Sequence, residues 1–148
     1  MKKQLLIILL TAIVSVSYSQ TKDNGQELID TFFDLYKNKG YDAALKYTLT
    51  TNKWIQTSGG EMDNIIIRLE KEIKTMGEYI GYEELKSKNL GTRLRYVSYL
   101  VYYQRDPVRF TFALYKNGTG WEISDFQYDF GFDKEIEASM KLMVSEGH

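Results

Sequence analysis

Residues 93–118, RLRYVSYLVYYQRDPVRFTFALYKNG, contain two consecutive strand patterns and decide the fold. In the second half, apolar residues fall at every other position: Val108, Phe110, Phe112 and Leu114. Pro107, the only proline in the chain, stands at the start of that strand, where its missing N–H does little harm. Asn117 and Gly118 tolerate positive φ and indicate a hairpin turn. The stretch therefore predicts two neighbouring antiparallel strands followed by a third.

The tyrosines of the first half suggest either a ligand platform or an ordinary strand. Successive residues of a strand point to opposite faces, so Tyr96 and Tyr102 point away from Tyr99 and Tyr103. At most half of the four can therefore line one cavity. We interpret them mainly as structural residues. The alternatives are hydroxyl groups that line a pocket and a platform for carbohydrate or peptide.

Helical patterns come before these strands and one more follows them. Three amphipathic segments lie at 24–40, 41–49 and 61–77. The first starts with Asn24 and Glu27 in a capping-box-like arrangement. Further strand patterns occupy 78–91 and 119–132, and a last helix starts at about Asp133. The chain is therefore predicted to be α+β, with three N-terminal helices on a four-stranded antiparallel sheet and a C-terminal helix.

The N-terminus, MKKQLLIILLTAIVSVSYSQ, is typical of a secretory signal peptide. Lys2 and Lys3 precede an apolar run that is too short to span a bilayer as a stable helix. The SYS sequence before Gln20 predicts cleavage after Ser19. We therefore expect residues 1–19 to be removed, with no stable membrane span afterwards, and residues 20–148 to form one periplasmic or secreted domain.

Composition excludes several classes of function. The chain has 19 basic and 20 acidic residues, and signal cleavage would remove two lysines and no acids. This balance argues against a nucleic-acid partner, which would need a basic stripe. There is no cysteine, which excludes disulfides, thiolate catalysis and cysteine-based zinc sites. A cysteine-free chain of this kind is typical of bacterial exported proteins.

Two segments, 27–48 and 121–129, carry a resemblance to a known superfamily. ELIDTFFDLYKNKGYDAALKYT is similar to the opening helices, and WEISDFQYD to the last strand, of NTF2-like, cystatin-related domains. The resemblance covers about residues 26–129 and implies a strongly curved sheet that forms a cone with the helices. This superfamily hosts isomerases, dehydratases, hydrolases and adaptors, so the fold alone names no function. Its catalytic members usually hold an Asp–His or Asp–Tyr pair in the cone, but the only histidine here is His148, the last residue.

Three acidic residues of the last strand pattern and the following helix are candidate ligands for a metal ion. Asp125, Asp129 and Asp133 are four apart, which does not suit an EF-hand, and Asp125 and Asp129 would be about 13 Å apart along a strand. Asp133 is better explained as a helix N-cap. We therefore predict no metal and no cofactor.

Four arginines could meet near the second hairpin: Arg93, Arg95, Arg105 and Arg109. Our interpretation is a set of cross-strand ion pairs on an exposed face, with Glu83, Glu84 and Glu122 as partners. The alternative is an anion-binding patch.

The leading functional hypothesis is an exported, non-catalytic binding or accessory module. Its cone would hold a small apolar or amphipathic ligand, or the domain would dock a partner protein. The candidate ligand-binding residues are Tyr99, Tyr103, Asp125 and Trp54, the last of which is expected to tuck back into the core. The alternatives are an isomerase- or hydrolase-type enzyme that uses a buried Asp or Tyr, and a structural homodimer built sheet to sheet.

Overall fold

The computed structural model describes residues 24–52, 54 and 60–146, and these form helices packed on one antiparallel sheet. The predicted signal peptide, residues 1–19, and His148 lie outside the described residues. The elements are α1 (Gln26–Lys39), α2 (Tyr41–Thr51), α3 (Glu61–Ile73), β1 (Tyr79–Leu90), β2 (Leu94–Tyr103), β3 (Val108–Lys116), β4 (Trp121–Asp129) and α4 (Asp133–Glu146). The α+β class is confirmed, and so is the start of the last helix at Asp133.

The four strands lie in the order of the sequence, β1-β2-β3-β4, and each pairs antiparallel with the next. Phe112 of β3, for example, lies opposite Val97 of β2 and Phe126 of β4. Short hairpins explain this order, because antiparallel neighbours need only a tight turn between them. The predicted four-stranded antiparallel sheet is therefore confirmed, and it is open.

One face of the sheet, here called the inner face, packs against the helices. Phe32 and Phe33 of α1 are buried, and the ring of Phe32 lies 4.9 Å from that of Phe112 between centroids. The residues predicted to alternate on β3, Val108, Phe110, Phe112 and Leu114, are all fully buried. The predicted strand phase is therefore confirmed: these side chains form the core.

Helix α1 starts differently from the prediction. Its N-cap is Gly25, in the left-handed region with φ 75°, and no side chain caps the helix there. The Asn24 carboxamide oxygen accepts a hydrogen bond from the backbone N–H of Gln26 at 3.1 Å. A Cβ at Gly25 would lie 3.1 Å from the Trp121 ring, so glycine also permits a close approach to β4. The capping box of Asn24 with Glu27 is wrong because the chain turns one residue later.

The two edges of the sheet differ. On β4, the backbone N–H of Ile123 donates to the Thr51 hydroxyl at 3.0 Å, and the Asn52 amide donates to the Ile123 carbonyl at 3.5 Å. The end of α2 thus satisfies edge groups of β4. Strand β1 is mostly exposed, carries charged side chains, and has two register shifts against β2. Charges and bulges on an edge strand disfavour pairing with another strand.

Helix α4 is held at its first turn. The guanidinium of Arg109 donates to both carboxylate oxygens of Glu135, at 2.7 and 3.0 Å, and to Asp129 at 2.6 Å. Further along the helix, Ile136 and Met140 are exposed. Within the described ranges, no helix is long and apolar enough to cross a bilayer.

Candidate functional site

Tyr99 and Tyr103, two of the predicted ligand-binding residues, both lie on the inner face of β2, about 13 Å apart along the strand. Their side chains are only 2% and 5% exposed. The Tyr99 hydroxyl accepts a hydrogen bond from the Gln26 side chain at 3.0 Å, and the Tyr103 hydroxyl is bonded to that of Tyr36. Both hydroxyl groups therefore already have partners within the chain.

Aromatic rings occupy the space between α1 and the sheet. Phe32 lies at the centre of this cluster, with ring centroids of Phe126 and Phe110 at 5.6 and 6.3 Å. At the β1 side, Phe33 stacks on Tyr82 with centroids 3.6 Å apart. Edge-to-face and stacked contacts at these distances indicate close packing. The part of the interior that Tyr99 and Tyr103 face is thus filled by side chains.

Burial keeps the inner tyrosines protonated. It raises the pKa of Tyr36, and to a smaller extent those of Tyr103 and Tyr99, because a phenolate loses its hydration in the core. Burial also raises the pKa of Tyr79, beside them, to about 12. A catalytic base must be able to lose its proton near the working pH. These hydroxyl groups are therefore suited to structural hydrogen bonds and not to proton abstraction.

The other two predicted site residues lie elsewhere. Asp125 is on the opposite face of the sheet, exposed, with its carboxylate accepting a hydrogen bond from Gln127 at 2.7 Å. Trp54 follows the end of α2 and is 69% exposed, so the expectation that it tucks into the core is wrong. The structure places Tyr99 and Tyr103 on the same face of β2 but does not bring Asp125 or Trp54 to them.

The acidic residues of β4 are engaged individually. Asp129 accepts hydrogen bonds from Arg109 and, at 2.7 Å, from the backbone N–H of Gly131. Asp133 lies in the first turn of α4, where a carboxylate suits the helix dipole. Across the described part of the chain, no group of three or more His, Cys, Asp or Glu residues is placed to hold a metal ion.

The four arginines do not form one patch. Arg95 is on the inner face and only 5% exposed, which contradicts the prediction that it lies on an exposed face. Its guanidinium donates to the Gln26 side chain at 2.9 Å and lies 3.6 Å from Glu84. Arg109 is on the other face, and Arg105 pairs with its neighbour Asp106. The predicted pair of Arg95 with Glu84 exists, but the burial of Arg95 depends on α1.

The other predicted acidic partners bind neutral groups. Glu122 accepts a hydrogen bond from the Asn117 side chain at 2.6 Å, and Glu83 accepts one from the Tyr102 hydroxyl at 2.9 Å.

The opposite face of the sheet is a candidate interaction surface, and Asp125 is the predicted site residue that lies on it. We call it the outer sheet surface and define it by two rows of residues across the strands. The register sets Leu90, Leu94, Tyr115 and Glu122 in the first row, and Lys88, Tyr96, Ala113 and Asp125 in the second. Of these eight residues, Ala113 and Glu122 are buried. Tyr96 is 43% exposed, and Leu90 and Tyr115 are exposed to a similar degree. The parity of β2 placed Tyr96 on this face, but no sequence signal showed that the face is uncovered.

Comparison with known proteins gives no further guide: no protein-family model, curated protein or solved structure matches this chain.

Proposed function

We propose that this protein is an exported, non-catalytic docking module that binds a partner protein through its outer sheet surface. The observation that supports this most is the contrast between the two faces. The inner face is packed with rings whose hydroxyl groups are paired, whereas the outer sheet surface exposes Leu90, Tyr96 and Tyr115. Contiguous exposed apolar side chains with a polar border are typical of protein interaction sites.

A ligand inside the cone is less well supported. It would have to displace buried rings and break the hydrogen bonds of Tyr99 and Tyr103. An enzyme is also less well supported, because the carboxylate that is buried among the described residues, Glu122, lies beside Tyr115 on the outer face and is bonded to Asn117. Glu122 lies level with Leu94, about 30 Å along β2 from Tyr103. Acid/base work with the buried tyrosines would need a carboxylate much closer.

We also propose that the protein has an NTF2-like fold and is exported. The α+β order supports an NTF2-like domain with a cone-shaped sheet, and the tripartite N-terminus supports export. Mass spectrometry of protein recovered from the periplasm or medium is expected to show Gln20 as the first residue. Full-length protein recovered only from membranes would contradict export.

Site-specific photo-crosslinking tests the docking surface. A benzophenone amino acid at Tyr96, in the producing cell, is expected to give a covalent adduct with a protein. The matched control is Lys71, which is exposed on α3. No adduct at Tyr96, or equal adducts at both positions, would contradict the proposal.

A fluorescent apolar probe, 1-anilinonaphthalene-8-sulfonate, separates docking from a ligand site in the cone. Tyr99→Phe and Tyr103→Phe are expected to leave its binding unchanged, whereas Tyr96→Ser reduces it. Loss of probe binding in a folded Tyr99→Phe or Tyr103→Phe variant would favour the small-ligand hypothesis instead.

A further inference from the structure

The geometry points to a second copy of this chain as the partner, docked outer sheet surface to outer sheet surface about a two-fold axis parallel to the strands. This inference rests on the proposed function of that surface. A closed two-fold interface must be complementary to itself, so each residue must suit the residue that the axis sets opposite it. The cross-strand register allows this requirement to be checked row by row.

An axis parallel to the strands keeps each row opposite the same row of the partner. It sets β1 against β4 of the second copy, and β2 against its β3. In the second row, Lys88 then faces the partner's Asp125, and Tyr96 faces the partner's Ala113. Opposite charges meet at both margins, and at the centre Tyr96 lies over Ala113, which is itself only 4% exposed and adds little contact surface. Charge complementarity of this kind fixes register and orientation.

The first row is complementary in a different way. Leu94 of β2 faces the partner's Tyr115, and by symmetry Tyr115 faces the partner's Leu94, which gives two apolar contacts. At the margins of this row, Leu90 faces the partner's Glu122, a buried carboxylate that is bonded to Asn117 of its own copy and adds no pair between copies. The apolar contacts therefore lie next to the axis, and the charged pairs lie at the margins of the second row.

The other two-fold axis, perpendicular to the strands, fits poorly. It sets β4 against β4 of the second copy and brings Asp125 towards the partner's Asp129. The same arrangement opposes the second row to the row of Leu100 and Arg109, where Arg109 is already paired with Asp129. Like charges and mismatched polarity disfavour that arrangement.

The size of the surface indicates a weak dimer. Four strands spaced about 4.8 Å apart, over the about 20 Å between the first row and Arg109, offer roughly 400 Å² per copy. The total of roughly 800 Å² is below the usual range for stable protein interfaces. Helix α4 starts near Arg109, about 20 Å along the strands from the first row, and Leu90, Tyr96 and Tyr115 are each exposed in its presence. We expect a dimer that dissociates at low concentration.

Charge reversal tests the register. Lys88→Asp and Asp125→Lys are each expected to raise the dimer dissociation constant about tenfold, because each changes two cross-copy pairs. The double variant Lys88→Asp/Asp125→Lys is expected to return to within about threefold of the natural protein. Within one copy these positions are about 14 Å apart, beyond the screening length at physiological salt, so rescue reports on contact between copies. The measurement is sedimentation equilibrium over a range of concentrations.

Controls separate this inference from the proposed function. Lys71→Asp on α3 is expected to leave the dissociation constant unchanged, and the melting temperature of every variant checks folding. Tyr96→Ser tests the centre of the interface without any change of charge and is expected to weaken the dimer. A chain that stays monomeric at all concentrations, or a double variant no stronger than the singles, would overturn the inference. A Tyr96 crosslink to a different protein would overturn it too, while leaving the docking function intact.

Discussion

The two faces of the central strands have similar residue types but different environments. On β2, Val97, Tyr99 and Val101 are buried beneath the helices, whereas their neighbours Tyr96 and Leu100 remain partly exposed. Tyr99 and Tyr96 are the same amino acid three positions apart, yet one is a core residue and the other a surface residue. The difference comes from α1, whose Phe32 and Phe33 cover only one side of the sheet. The position of a residue along the strand therefore decides which face of the sheet its side chain points to. The helices then decide whether that face is buried.

The largest test of this contrast is truncation of an inner ring. Phe112→Ala is expected to lower the free energy of unfolding by about 3–5 kcal/mol, because Phe32 and Phe126 lose a packed neighbour. Tyr115→Ala, on the outer face of the same strand, is the matched control and is expected to cost about 1 kcal/mol or less. Urea denaturation at low protein concentration measures both. Similar losses at the two positions would mean that the faces are not as different as described.

The buried arginine gives a test of intermediate size. Arg95→Ala is expected to cost about 2 kcal/mol, because the Gln26 side chain loses a charged donor in a partly buried site. Arg93→Ala, two residues away and exposed, is expected to change stability by less than about 0.5 kcal/mol. Chemical denaturation of the two variants measures both changes in the free energy of unfolding. If Arg95→Ala were neutral, the hydrogen bonds of Arg95 would not contribute to the attachment of α1.

The smallest test removes single hydroxyl groups. Tyr103→Phe is expected to cost about 1 kcal/mol, because it leaves the buried Tyr36 hydroxyl without its partner. Tyr102→Phe, whose hydroxyl binds Glu83 on the exposed face, is expected to cost less than about 0.5 kcal/mol. The double variant Tyr36→Phe/Tyr103→Phe is expected to be more stable than the sum of its single changes predicts. Simple additivity would contradict the bond between these two hydroxyl groups.

The stability of the protein at alkaline pH provides a further test of the buried tyrosines. The pKa values of Tyr36 and Tyr103 are raised in the folded protein above the ordinary value of 10.0, mainly by burial. Above pH 10 the unfolded chain loses these protons while the folded chain keeps them, so stability declines as pH rises. The decline is expected to be shallower in the Tyr36→Phe/Tyr103→Phe variant. An identical decline in both proteins would assign it to other groups.

Much of the fold could be predicted because it depends on local patterns. The alternation of β3, the turn at Asn117 and the division of the β2 tyrosines need only neighbouring residues. The burial of Arg95 could not be predicted, because its partner Gln26 is 69 positions away. The exposure of Trp54 and the openness of the outer face likewise depend on where the helices pack. The sequence therefore predicted that Tyr96 and Tyr102 share one face of the strand, but it did not predict that this face is exposed.

The contact between α2 and β4 has a consequence for the timing of folding. Thr51 and Ile123 are 72 positions apart, and their hydrogen bond closes a loop that contains α3 and the first three strands. Contacts between distant parts of a chain slow folding, because the intervening loop must close first. A nascent chain that still lacks β4 leaves the end of α2 without these partners. The end of α2 therefore reaches its final contacts only after β4 has been made.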